Sequence, residues 1–160
     1  MDKKIQLEII WWTITAIVIV LVMFPIWSEV GTDFRYHNSN IMAVFIFMVY
    51  SRLLFVLRHT YIAKNSLMKI IFVIMSIPLF IYFMDRINEF QTFVDDNGDT
   101  SLLTQYSDRV ANLTKYIRYE YLFFAVAALI TVAMMPFHMI LSLWRTRNRG
   151  TVLYLLFNCL

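Results

Sequence analysis

Apolar residues fall in four long blocks, at about 9–27, 41–57, 67–84 and 121–144, separated by polar stretches. Within each block they occupy every face of a helical wheel rather than one stripe. A surface helix of a water-soluble protein keeps a polar face. A helix needs about 20 residues to cross a hydrocarbon core about 30 Å thick, and these blocks approach or pass that length. The alternating segments of an outer-membrane barrel are absent from the sequence. The pattern predicts an all-α membrane protein, a single domain of four transmembrane helices spanning 1–160. Lys3 and Lys4 ahead of the first block look like the start of a signal peptide. The block is long for one, however, and "FPIWSEVG" offers no cleavage pattern of small residues, so the first helix is expected to be retained.

The polar stretches differ in charge, and that difference sets an expected orientation. Lys3 and Lys4 precede the first block, Arg58, Lys64 and Lys69 lie between the second and third or at the edge of the link, and Arg145, Arg147 and Arg149 follow the fourth. An even number of crossings puts all three basic segments on one face, and basic segments stay inside. Residues 28–40 carry Glu29 and Asp33 against Arg35, and residues 85–120 carry seven acids against four bases. The chain is therefore expected to be N-in and C-in. Trp11, Trp12 and Trp144 then mark the inner interface and Trp27 the outer one.

Residues 85–120 are too long for a tight turn, and their pattern is helical. Met84, Ile87, Phe90 and Val94 continue out of the third block; Leu103, Tyr106, Val110, Leu113, Ile117 and Tyr121 lead into the fourth. "DDNGDTS", residues 95–101, is the break between them. An extended outer helical hairpin between helices three and four is expected, able either to dock a partner or to pack on its own chain. Asp95, Asn97 and Asp99 start like a calcium loop, but the glycine comes early and Tyr106 stands where the bidentate glutamate belongs, so an acidic turn is the simpler reading. Asn112-Leu113-Thr114 matches a glycosylation sequon, a pattern that chance supplies often.

Arg52 is a cation set well inside an apolar block, six residues before Arg58. Six residues are about 9 Å of helix. An arginine stem can span most of that distance and place its guanidinium among the headgroups. The alternative is a partner inside the bundle. His138 lies six residues before Trp144, at nearly the same depth, and Glu8 opens the first helix on the same side. Glu8, Arg52 and His138 thus form a candidate polar cluster of the inner leaflet, where titratable groups are costly and mark function.

Helix four alone is rich in small residues, Ala125, Ala127, Ala128, Thr131 and Ala133, and no glycine falls in any apolar block. Small residues let backbones approach, so helix four is expected at the centre of the bundle or of a partner interface. Ala125, Ala127, Ala128 and Thr131, with Leu103, Tyr106 and Val110 of the outer segment, are the candidate interface positions. Pro25, Pro78 and Pro136 can kink their helices. Residues 145–160 form a basic and then apolar tail, whose last ten residues are too short to span and are expected on the inner interface or in a partner's groove.

Composition narrows the chemistry. Of 160 residues, 60% are hydrophobic and 16% charged, and the net charge of +3 is too small and scattered for a nucleic-acid surface. Cys159 is the only cysteine, which rules out an internal disulfide and a multi-cysteine metal site. No triad, HExxH or phosphate-binding loop is present. No arginine ladder, as a voltage sensor needs, runs between Tyr121 and Trp144. The expected function is that of a small polytopic inner-membrane subunit, not an enzyme and without cofactor or metal, whose partners are the lipid bilayer and other membrane subunits or itself. An ion channel or transporter using Glu8, Arg52 and His138 is the first alternative. A membrane haem or quinone redox protein is the second.

Overall fold

The structure is a computed structural model that describes residues 3–29, 35–57, 65–98 and 108–157, with side chains given for 5–28, 35–57, 65–98, 112–145, 147 and 148. Four α-helices make it up: α1 (Lys3–Glu29), α2 (His37–Val56), α3 (Ser66–Asn97) and α4 (Asp108–Phe157). All four are long and apolar enough to cross a membrane. Helices are what such a sequence must form in lipid, because every backbone N–H and C=O has to find its partner within the segment.

The helices overrun the apolar blocks at nearly every end. α2 begins at His37, where the Tyr36 carbonyl accepts the Asn40 N–H at 2.9 Å. α3 begins behind Asn65, whose side-chain oxygen accepts the Leu67 N–H at 3.2 Å, the bond expected of an asparagine N-cap. It runs unbroken through Asn97 and stops at Gly98, which adopts φ 77° and returns its N–H to the Val94 carbonyl at 2.8 Å. Glycine reaches that left-handed conformation without a Cβ penalty. α4 is a single helix of 50 residues, about 75 Å long at 1.5 Å per residue. The stretch 145–157, expected as a separate tail on the interface, instead continues the α4 helix.

α4 packs along both α2 and α3, while α1 lies against α2 and touches α4 less. The buried residues of α4 explain how one helix serves two neighbours. Ile117, Tyr121, Ala125, Ala128, Val132, Met135 and Met139 are buried, and after Tyr121 they alternate steps of four and three, the seven-residue repeat of helices packed at a shallow angle. α3 answers with Lys69, Ser76, Phe83 and Phe90, each seven residues from the last, flanked by Ile87 and Val94. α2 answers with Asn40, Ala43, Ile46, Tyr50, Leu53 and Leu57.

Cross-helix contacts fix the directions. Phe90 of α3 stacks on Tyr121 of α4 at 4.4 Å and Lys69 meets Ser142, so α3 and α4 are antiparallel. Asn40 meets Glu120, and Phe47 meets Phe124 further along both helices, so α2 and α4 run the same way. α1 is fastened at intervals: Trp12 lies 6.1 Å from Phe45, Met23 and Ile26 are buried, and the Tyr116 hydroxyl donates to the Val22 carbonyl at 3.1 Å. Pro25 cannot supply the N–H that would close its own turn of α1, and the Tyr116 contact lies in that loosened turn. Hydroxyls inside the helices bond their own backbone: Thr15 to Trp11, Ser76 to Phe72 and Thr131 to Ala128.

Ala128 is fully buried on the shared seam, whereas Ile130 is 53% exposed. Ala128→Leu is expected to overpack the α2–α4–α3 contact and cost about 1–3 kcal/mol. Ile130→Leu should change stability by less than about 0.5 kcal/mol. Thermal unfolding of the two variants in one mild detergent checks the contrast.

Candidate functional site

Arg52 finds its partner within the bundle. Its guanidinium meets the Glu8 carboxylate at 2.5 Å, and its side chain is only 11% exposed, against 31% for Glu8. The same guanidinium lies 5.9 Å from the ring centre of Trp11, one turn along α1 from Glu8. α1 therefore presents an anion and an aromatic face to one cation of α2, at the positions i and i+3 that share a helix face. With little water around it, this pair ties the otherwise loosely held start of α1 to the end of α2.

His138 takes no part in that arrangement. Among the described residues no hydrogen bond or ion pair joins it to Arg52 or Glu8, and its Nδ1 is buried without a partner. α1 lies against α2 and more lightly against α4, and Arg52 faces α1.

The polar partner of α4 at this end is a lysine that charge counting assigns to the link. Lys69 is 1% exposed within the fourth residue of α3 and donates to the Ser142 hydroxyl of α4 at 3.0 Å. Both residues continue the seven-residue seam, which is the signal that would have found them: Lys69 precedes Ser76 by seven, and Ser142 follows Met135 by seven. The small-residue positions sit in the same seam. Ala125, Ala128 and Thr131 are buried against this chain's own helices, and Ala127 is half-buried. Leu103 and Tyr106 lie outside the described residues, as does the side chain of Val110.

A second polar layer closes the opposite end of the bundle. Asn40 of α2, fully buried, donates its amide to the Glu120 carboxylate of α4 at 2.6 Å, and Glu120 is 7% exposed. Tyr36 packs edge-on to Phe90 and against Tyr121 beside them. Burial pushes the Tyr36 phenol above its ordinary range, the Arg35 charge opposing. Arg35 pairs with Glu89 at 3.7 Å and lies over Phe93, while Arg86 bonds Glu89 and meets Asp85 at 3.6 Å. Ser39 and Tyr82 share a hydrogen bond, and the Trp27 indole donates to His37 Nε2 at 3.4 Å. Asp99 of the acidic turn lies outside the described residues, and Asn97 bonds the Phe93 carbonyl of its own helix. Thr114 of the sequon is buried in α4.

An apolar groove of about 270 Å³ opens between α3 and α4, lined by Ile77, Phe80, Ile81, Val132 and Pro136 with Ser76 and Ala133. It holds no titratable side chain.

Arg52→Leu removes the cation and leaves Glu8 beside Trp11. The double-mutant cycle of Arg52→Leu with Glu8→Gln is expected to give a coupling of about 1 kcal/mol, and the cycle of Arg52→Leu with His138→Leu additivity within about 0.5 kcal/mol. Unfolding in detergent measures both. No family model, curated protein or solved structure matches the chain.

Proposed function

We propose that this protein is a multi-pass inner-membrane subunit, with both ends on the cytoplasmic side, that works by packing its helices against another membrane protein. The observation that carries the reading is an uncovered isoleucine stripe on α3. Ile70, Ile74, Ile77 and Ile81 follow at steps of four, three and four, and are 49%, 60%, 62% and 63% exposed. That is the repeat by which α3 packs on α4, presented a second time on a face that no described helix of this chain covers, with Ile77 and Ile81 at its edge toward the groove beside α4. β-Branched side chains lose little rotamer freedom when a neighbouring helix seats among them. The pairing of Arg52 with Glu8, which joins two helices of the chain, supports a structural role for that charge over a place in an ion path.

A single cysteine at the stripe tests the reading. Ile77→Cys in a Cys159→Ser background is expected to crosslink in native membranes to a discrete higher-mass species, while Phe55→Cys on α2 gives none. Reaction with neither protein at Ile77 would leave lipid as the only cover for the stripe and end the proposal. Orientation is checked separately: a reporter fused after Leu160 is expected to be active only in its cytoplasmic form.

A further inference from the structure

The hydrogen bond between Asn40 and Glu120 leaves a specific deficit. Asn40 Oδ1 and Glu120 Oε1 are both buried and neither receives a donor. Both are acceptors, so no rearrangement between an amide and an ionised carboxylate can satisfy the two together. Nor does charge compensate. Among the described residues no ion pair joins a cation to Glu120, and Arg35 and Arg86, which α2's entry and α3 bring to this end, are bound to Glu89 and Asp85. An unpaired carboxylate in such a place is costly.

One added proton removes the deficit. A protonated carboxyl has one O–H donor and one C=O acceptor; a primary amide has the same two functions in a matching fork. With Nδ2 of Asn40 already donating to Oε2 of Glu120, a proton on Oε1 supplies the donor that Oδ1 of Asn40 lacks. Two hydrogen bonds then join α2 to α4 where one stands alone. We propose that Asn40 and Glu120 form a proton-binding site: Glu120 holds a proton at neutral pH and shares it with the Asn40 amide, and the ligand of this buried layer is H⁺.

The surroundings fit a neutral group. α1 brings no titratable side chain between Trp12 and Ser28. α2 adds His37, one turn from Asn40, with Nε2 accepting from Trp27. The turn before α2 adds Arg35 and Tyr36. α3 contributes Tyr82, Arg86 and Glu89, the last two bound to each other. α4 adds Tyr116, Tyr121 and Arg118, and the Tyr116 hydroxyl is turned to the Val22 carbonyl of α1. The aromatic packing of Tyr36, Phe90 and Tyr121 walls off the layer. The inference stands apart from the partner-docking proposal, since it concerns the chain's own interior and holds whatever covers α3.

Infrared spectroscopy of the full chain in detergent or liposomes reads the proton directly. At neutral pH a carbonyl stretch of a protonated carboxyl should appear, shift in D₂O, and vanish in Glu120→Gln. Glutamine carries the donor and acceptor of the protonated acid, so this variant should fold and melt within a few degrees of the parent protein. Absence of the band at neutral pH would overturn the proposal, as would its survival in Glu120→Gln. Failure of Glu120→Gln to fold would overturn it as well, because the neutral isostere would then be shown not to replace the native group.

Discussion

The seam along α4 is the constraint on which the rest of the bundle depends. In lipid, apolar surface has no reason to prefer a protein neighbour, so helices associate through close packing and polar contacts. α4 meets α2 on one flank and α3 on the other, and Ala125, Ala128 and Val132 keep its buried face narrow where they do. Bulkier residues there would push one neighbour off, and with it the alignment of every polar pair.

Those polar pairs close the seams at their two ends. Asn40 with Glu120 joins α2 to α4 near Tyr36, and Lys69 with Ser142 joins α3 to α4 at the other end. Each places a polar group at a seam position where an apolar one would pack as well. A polar residue in a repeating apolar seam fixes register, because sliding by a turn would leave it unpaired in a medium without water. Arg52 with Glu8 does the same for α1, the helix with the least packing to hold it. The bundle thus has two tightly packed interfaces and one that leans on a charge and a few aromatic contacts.

Such a division leaves α1 and the outer face of α3 as the parts of the molecule most open to their surroundings. α1 exposes Ile10, Ile14, Ile17 and Leu21 along most of its length. α3 exposes its isoleucines beside the seam, with Ile77 and Ile81 reaching the groove near Pro136. Lys69 and Glu120 are drawn inward, so the apolar faces of α1 and α3 offer shape and little chemistry.

The sequence by itself determined that the chain is helical, where its four long helices lie, and that α4 is the crowded one. Block length, full-circle hydrophobicity and the run of alanines carry that information locally. It also put Arg52 and Glu8 at one depth, because rise per residue converts directly to distance along an axis. What the tertiary structure decided is which faces meet. His138, expected at the depth of Arg52, is not in its company, and Lys69, counted as a link charge, is buried on α4. Rotation about a helix axis is set by packing against neighbours, and a helix apolar on every side has no polar face to betray it. Only the buried seven-residue repeats, visible once the helices are placed, distinguish the side that meets α4 from the side that meets the bilayer.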